Sequence, residues 1–226
     1  MKRVITALLA ALLVLSLAAC GSGVETKKLA GTWTCTVDVT DRMNAAAEQA
    51  LGLSAADGAA QMTLQLVLTV TEDGAYTLRY DSDAARTALD AYAAALHPAA
   101  VESVYAAAEE QGFSREEYDA AMEKAGITMD DMVAAIFAGV DEEELLSLLT
   151  GRSAAITGYC RAEGGQLYLA DTAADLTETA DCLSYTLSDG TMTWTDAQGE
   201  LSSQLTEQEQ ELLRVPLTWT KQEESK

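Results

Sequence analysis

The chain has 226 residues, 49% of them hydrophobic, and its 14 basic and 36 acidic side chains give it a formal net charge of −22. Such a surface repels other polyanions, so we expect neither a nucleic-acid partner nor electrostatic binding to anionic lipid headgroups. With two prolines and no low-complexity linker, a chain of this length is most simply one domain that carries an insertion.

Residues 1–19 have the pattern of a bacterial lipoprotein signal peptide. Lys2 and Arg3 precede an apolar run from Val4 to Leu17, and Ala18-Ala19 precede Cys20. The run is shorter than the roughly 20 residues of a membrane-spanning helix, and the small residues mark a cleavage site. We expect cleavage before Cys20, attachment of diacylglycerol to its thiol and acylation of its amine, because two or three acyl chains anchor a protein stably.

The mature chain would then be held by membrane lipid at the extracytoplasmic face of the cell membrane. Residues 20–28 form the lipidated tether, in which Gly21, Ser22 and Gly23 provide flexibility. Removal of the signal peptide leaves 12 basic and 36 acidic residues, a formal charge of −24. The alternative is an ordinary cleaved signal in which Cys20 occurs by chance.

Residues 29–83 contain three predicted strands. Apolar and polar residues alternate from Gly31 to Val39, from Met62 to Val70 and from Tyr76 to Tyr80. This period of two is the pattern of half-buried strands. Glu72-Asp73-Gly74 predicts the hairpin turn between the second strand and the third.

Residues 84–151 are predicted to form an inserted bundle of short helices. Two helices cover residues 84–96 and 99–111, separated by His97-Pro98. Three more begin at capping residues that stand three positions before an acidic one: Ser114 with Glu117, Thr128 with Asp131, and Asp141 with Glu144. A further helix, from Asp41 to Leu51 and ended by Gly52, joins the first two strands.

Apolar side chains recur at helical spacing along this insertion. They predict the core of a small helical bundle. The alternative is an exposed apolar face that binds a protein partner in the cell envelope or gates the access of a ligand.

Residues 152–226 contain five more predicted strands, with Gly164-Gly165 and Asp189-Gly190 as tight turns. Their apolar positions alternate with Thr, Ser or charged neighbours and are Ile156 and Cys160; Leu167 and Leu169; Leu183, Tyr185 and Leu187; Met192 and Trp194; Leu217 and Trp219. Eight strands joined mostly by hairpins predict an α+β protein with a closed antiparallel β-barrel, because closure removes exposed edges. A two-sheet sandwich is the competing architecture.

The start of the first strand, Leu29-Ala30-Gly31-Thr32-Trp33, resembles the Gly-x-Trp signature of lipocalins and their relatives in the calycin group. The count of eight meandering strands is similar to theirs. The resemblance implies a lipocalin-like barrel in which Trp33 closes the floor beneath a basic residue from the end of the last strand. Lys221 is the candidate for that basic residue, and the helical insertion has no counterpart in a plain lipocalin barrel.

Strand parity directs six aromatic side chains toward the barrel interior: Trp33, Tyr76, Tyr80, Tyr185, Trp194 and Trp219. These residues are candidates for lining a site that holds a small apolar or amphipathic ligand. Because large side chains also fill a barrel, the alternative is a solidly packed interior.

No enzyme motif is present in the sequence. The single histidine, His97, is predicted to lie at a helix C-terminus, where positive charge is favoured. No Gly-x-Ser-x-Gly, His-Glu-x-x-His, Walker or dinucleotide motif occurs. We expect no cofactor and no metal, since neither a Cys-x-x-Cys motif nor an EF-hand spacing is found.

Three cysteines remain once Cys20 is lipidated, namely Cys35, Cys160 and Cys182. At most one internal disulfide can form, and all three pairings stay open. Parity places Cys35 and Cys160 on the inner face of the barrel, where a cysteine serves as a small hydrophobic residue.

The sequence therefore favours a non-enzymatic, membrane-anchored lipoprotein that binds a small apolar or amphipathic ligand in its barrel. The alternative is a structural or protein-interaction module of the cell envelope. In that case the barrel is solid, and the helical insertion meets an envelope partner or completes the fold.

Overall fold

The computed structural model describes residues 25–53, 61–137, 155–177, 180–198 and 212–223. They form two compact units. The barrel unit lies within Met1–Cys35, Leu66–Tyr80 and Ala154–Lys226, and the helical unit lies within Thr36–Gln65 and Asp81–Ser153. Cys20 and the helix predicted to begin at Asp141 lie outside the described residues.

Eight strands form a closed barrel in which each strand neighbours the next along the chain and the last pairs with the first. The prediction of an antiparallel eight-stranded barrel is confirmed. The strands are β1 Gly31–Asp38, β2 Thr63–Val70, β3 Ala75–Tyr80, β4 Ile156–Glu163, β5 Gln166–Ala170, β6 Asp181–Ser188, β7 Thr191–Gln198 and β8 Leu217–Lys221. A short 3-10 helix, Ala173–Asp175, follows β5.

The strand register assembles the inner face that alternation predicts. Between β2 and β3, Leu68 pairs with Leu78 and Val70 with Tyr76. Directly paired residues point to the same side of a sheet, so these apolar side chains share one face. The other inward positions follow in the same way through Cys160 with Leu169, Leu167 with Leu183, and Met192 with Trp219.

A β-bulge adjusts the pairing of β6 with β7. The register shifts between Ser184 and Tyr185, and Thr195 is the extra residue in β7. Beyond the bulge, Tyr185 pairs with Trp194 and Leu187 with Met192. The large side chains of both strands therefore share the inner face, although an extra residue interrupts the simple alternation.

The helical unit contains four described helices: α1 Thr40–Leu51, α2 Ser82–Glu110, α3 Arg115–Ala125 and α4 Met129–Phe137. The prediction of two short helices divided at His97-Pro98 is wrong, because α2 continues through Pro98 for 29 residues. Buried side chains recur on one face of α2 on both sides of the proline, at Tyr92, Leu96, Ala100 and Val104. Packing of this face outweighs the local cost of proline.

The predicted helix caps at Ser114 and Thr128 are confirmed. Ser114 forms a reciprocal capping box with Glu117 at the start of α3. Asp131 accepts hydrogen bonds from the backbone N–H and hydroxyl of Thr128 at the start of α4, and its own N–H donates to that hydroxyl. These bonds satisfy donors that a helix N-terminus otherwise leaves unpaired.

A small apolar cluster joins α2 to α4 and to the end of α1. Leu53, Ala100 and Val133 are buried together. Val101, Ile136 and Phe137 pack against them, in agreement with the apolar helical spacing of the insertion. The Tyr92 hydroxyl also donates to Asn44 Oδ1 at 2.6 Å and so ties α2 to α1.

Replacement of Pro98 by alanine is expected to raise the free energy of unfolding by about 1 to 2 kcal/mol. Proline in a helix interior costs about 3 kcal/mol, because it lacks the backbone N–H and clashes with the preceding turn. Alanine recovers only part of this, because it also raises the conformational entropy of the unfolded chain. Chemical denaturation followed by circular dichroism measures the change. A loss of stability would show that α2 requires the proline.

Candidate ligand site in the barrel interior

Trp33 lies at the start of β1 and is only 1% exposed. Its indole Nε1 donates to the Leu29 carbonyl oxygen at 2.7 Å. Leu29 is equally buried and ends a helical segment, residues 25–29, that directly precedes the barrel. This bond satisfies the one polar atom of the Trp33 side chain.

Lys221 lies over the face of Trp33. The two residues pair across β1 and β8, and Lys221 Nζ is 5.2 Å from the centroid of the Trp33 ring, within cation–π distance. A Cβ atom at Gly31 would lie 2.8 Å from Lys221 Cε. Glycine two residues before the tryptophan therefore leaves room for the lysine stem, and the contact that the resemblance implied is present.

The helical segment 25–29 is bonded to the barrel at the end that carries the β2–β3 and β4–β5 turns. The backbone N–H of Ala162 donates to the buried hydroxyl of Thr26 at 3.0 Å. The N–H of Gly164 donates to the Glu25 carboxylate at 2.8 Å. This segment therefore lies at the same end of the barrel as Trp33.

Trp194 and Trp219 form an aromatic pair on the β7–β8 wall. Their ring centroids are 4.9 Å apart, and the rings are tilted by 49°. Trp194 is 4% exposed and Trp219 is fully buried. Both indole Nε1 atoms are buried, and neither has a hydrogen-bond partner among the described residues.

The three tyrosines of the predicted site occupy less buried positions than the tryptophans. Tyr76 is half-buried and crosses over Gly158, where an added Cβ would lie 3.0 Å from the tyrosine hydroxyl oxygen. Tyr185 is half-buried beside Trp194, and Tyr80 is half-buried opposite Leu66. The six aromatics thus surround one interior, but the structure brings only Trp194 and Trp219 of the predicted set into ring contact within the part of the chain it describes.

Burial keeps the interior hydroxyl and thiol groups protonated. Desolvation, followed by the negative charges of Cys160, Asp171 and Asp181 when ionised, raises the pKa of Tyr76 to about 12. Desolvation also raises the pKa of the Cys160 thiol to about 12. Neither group is an activated nucleophile or base near neutral pH.

No disulfide joins the three described cysteines. Cys35 and Cys160 are buried on the inner face, as parity predicts. Cys182 pairs with Tyr168 and is half-exposed on the opposite face of β6. None of the three disulfide pairings left open by the sequence is formed.

Stability is expected to decline at alkaline pH. The unfolded chain releases the Cys160 proton near pH 9 and the Tyr76 proton near pH 10, whereas the folded chain retains both to about pH 12. The free energy of unfolding therefore falls as the pH rises from 9 to 12. Denaturant titrations of the wild type and Tyr76→Phe measure the decline, which should be shallower above pH 10 in the variant; parallel curves would contradict the assignment to Tyr76.

His97 does not lie at a helix C-terminus, so that prediction is wrong. It is inside α2, and its Nε2 atom lies 3.1 Å from Asp130 Oδ1 in the first turn of α4. Both side chains are substantially exposed. The geometry is that of a surface contact between two helices, and such exposed pairs contribute little stability.

Sequence reasoning did not identify the partners of the indole nitrogens. Alternation predicts which tryptophans face inward, but it cannot distinguish Trp33, which reaches a backbone carbonyl, from Trp194 and Trp219, which reach none within the described chain. The sequence also does not predict the helical segment 25–29, because residues 25–28 fall in the predicted tether and residue 29 at the start of the predicted barrel. Its Thr26 and Glu25 contacts depend on residues more than 130 positions away.

No cluster of three or more His, Cys, Asp or Glu side chains placed to hold a metal ion occurs in the described part of the chain. Among the helices within the described ranges, none is long and apolar enough to cross a membrane. No protein-family model matches the chain, and no significant match was found among curated proteins or solved structures.

Proposed function

We propose that this protein is a lipid-anchored lipoprotein of the extracytoplasmic membrane face whose lipocalin-like barrel binds a small apolar or amphipathic molecule. It acts as a binding protein and not as an enzyme. The anchor is the lipidated Cys20, and the site is the inner face around Trp33, Trp194 and Trp219.

The observation that carries the proposal is the pair of buried indole N–H groups on the β7–β8 wall. An unsatisfied buried donor costs about 1 to 3 kcal/mol, and native interiors contain few of them. The neighbours of the pair are apolar, since Met192 and Leu217 are the cross-strand partners of Trp219 and Trp194. An apolar wall with a few convergent polar groups is the usual lining of a small-molecule site.

Two further features support a lipocalin-like character. The strands run in simple chain order around the barrel. Lys221 covers Trp33 at the floor, with Gly31 leaving space for it. Fold likeness alone does not identify a ligand, so the proposal depends on the chemistry of the wall.

A hydrophobic dye tests ligand binding directly. Anilinonaphthalene sulfonate added to the purified protein, after extraction of bound lipids, should bind at one molecule per chain and quench tryptophan emission. Trp219→Phe should weaken this quenching, whereas substitution of the exposed Thr220 by alanine should leave it unchanged. Absence of saturable binding by the wild type would contradict the proposed function.

Cys20→Ser is expected to abolish lipid attachment. The proposed bond to diacylglycerol is a thioether of the Cys20 sulfur, and a serine hydroxyl cannot form a thioether. Incorporation of labelled palmitate, together with fractionation of cells into membrane and soluble parts, measures the effect. A variant that still carries label and remains in the membrane fraction would contradict the lipoprotein assignment.

A second candidate function is a protein-interaction module of the cell envelope. It is favoured by two large apolar side chains on the helical unit, Phe113 at 46% and Ile127 at 42% exposure. Each directly precedes an N-cap residue, Ser114 or Thr128, where an apolar residue commonly packs on the first turns of its helix. That local role explains both residues, so we place this candidate second.

A further inference from the structure

One end of the barrel carries the tight turns between β2 and β3, between β4 and β5 and between β6 and β7. We call it the turn end; it comprises residues 71–74, 164–165 and 189–190, with the start of β1 and the end of β8 beside them. Because neighbouring strands run antiparallel, the connections from β5 to β6 and from β7 to β8 lie at the opposite end.

The helical segment 25–29 is fixed to this turn end. Thr26 is 6% exposed, and its hydroxyl accepts a hydrogen bond from a β4 backbone N–H at 3.0 Å. Its Cγ2 atom lies beside the β2–β3 turn, 3.3 Å from where a Cβ of Gly74 would be. The Glu25 carboxylate accepts from the Gly164 N–H in the β4–β5 turn at 2.8 Å. The segment therefore contacts two of the turns that define this end.

The proposed site of lipid attachment is close to this segment along the chain. Cys20 precedes Glu25 by five residues. A chain of that length spans at most about 18 Å when fully extended. The barrel is about 20 Å from end to end, since strands of this length extend about 26 Å and tilt by about 40° in a barrel. The link is thus too short to run the length of the barrel.

We infer that the short link to Cys20 holds the turn end of the barrel against the headgroup layer of the lipid bilayer, while the opposite end faces away from the membrane. This inference rests on the proposed lipid attachment at Cys20 and adds the orientation of the barrel. The bilayer is the partner of the turn end, because the acyl chains of the anchor are inserted in it. A molecule that approaches the opposite end comes from the aqueous side.

The charges of the turn end do not by themselves favour a membrane. Lys27 and Lys28 are exposed on the helical segment, whereas Glu72, Asp73 and Asp189 are exposed in the turns. Attraction of the lysines to lipid phosphate groups is therefore opposed by repulsion of the neighbouring carboxylates. Because the covalent link determines the orientation, we expect it on a bilayer of zwitterionic lipid alone.

Energy transfer from labelled barrel positions to the bilayer surface tests the orientation. Single cysteines replace exposed residues at the turn end, in Glu72→Cys and Ser188→Cys, and at the opposite end, in Ala173→Cys. Every variant also carries Cys182→Ser, and the other two described cysteines are buried, so a maleimide dye labels the introduced thiol. The full-length lipidated chain, purified from its own host, is inserted into phosphatidylcholine vesicles that contain a lipid with an acceptor dye on its headgroup.

The expected result is that the dyes at Glu72→Cys and Ser188→Cys lie about 20 Å nearer the acceptor plane than the dye at Ala173→Cys, which is the length of the barrel. Insertion of about 20 Gly and Ser residues between Gly23 and Val24 is the matched control, because such a linker extends about 25 Å and leaves the barrel unchanged. The difference between the two ends should then shrink.

Four outcomes would overturn the inference. Equal transfer from both ends would show a barrel that lies on its side, and greater transfer from Ala173→Cys would show an inverted one. A difference that survives the insertion in full would show that something other than the short link orients the barrel. These three results leave the lipid anchor in place. A chain that does not float with the vesicles would remove both the inference and the proposed lipid attachment.

Discussion

Trp219→Ala is expected to lower the free energy of unfolding by about 3 to 5 kcal/mol, the cost of removing a large aromatic side chain from a core that cannot collapse around the gap. Trp219 is fully buried, contacts the ring of Trp194 and pairs with Met192. Its position in a closed barrel restrains the strands from moving inward. Denaturant unfolding monitored by circular dichroism measures the loss.

Two matched variants separate the sources of this effect. Thr220→Ala changes the exposed neighbour on β8 and should alter stability by less than about 0.5 kcal/mol. Trp219→Phe keeps an aromatic ring in the core and removes a donor that has no partner among the described residues, so it should cost far less stability than alanine. An alanine variant as stable as Thr220→Ala would show that Trp219 is not part of a packed barrel core.

Gly74→Ala is expected to lower the free energy of unfolding by about 2 to 4 kcal/mol, through backbone strain and a clash together. Gly74 has a φ of +87°, and its carbonyl oxygen accepts from the Cys160 N–H at 2.7 Å. An added Cβ would collide with the Cys160 carbonyl oxygen. Because that oxygen belongs to the backbone of β4, only a movement of the strand can relieve the contact.

Gly112→Ala provides the control for the strain alone. Gly112 has nearly the same φ, +89°, but a Cβ there would have no atom within 4 Å. Its replacement should lower the free energy of unfolding by about 1 to 2 kcal/mol, the cost of placing a residue with a Cβ atom in a left-handed backbone conformation. Equal losses for the two variants would show that the close approach of Gly74 to β4 carries no energetic cost.

The barrel strands could be predicted because most of them bury one face and expose the other. In β1, for example, Trp33, Cys35 and Val37 are buried while Thr36 and Asp38 are exposed. Alternation of apolar and polar residues in the sequence therefore predicts these strands. The bulge at Thr195 could not be predicted in this way, because it depends on the relative register of β6 and β7.

In the helical unit, packing over several turns overrides the preference of a single residue. The caps at Ser114 and Thr128 are set by residues three positions apart, and the sequence identifies both. Continuity of α2 through Pro98 depends instead on burial of a face that extends across the proline, from Tyr92 to Val104. Helix propensity at a single position contains no information about that burial.

The inward positions of the barrel aromatics could be predicted from the sequence, but their hydrogen bonds could not. Parity and the lipocalin resemblance together identify Trp33 and its contact with Lys221. They do not identify which indole nitrogens find partners, because a hydrogen bond is decided by positions within a few tenths of an ångström. That the indole donors of Trp194 and Trp219 meet no partner within the described ranges is therefore visible only in the folded barrel.

Native mass spectrometry of the protein purified from its own host, without denaturation, tests the central claim that the barrel holds a small molecule. The account predicts a mass equal to the lipidated chain plus one noncovalently bound molecule, which dissociates on activation. Trp219→Phe should retain less of it. A spectrum that shows the covalently lipidated chain alone, with nothing further bound, would contradict the account.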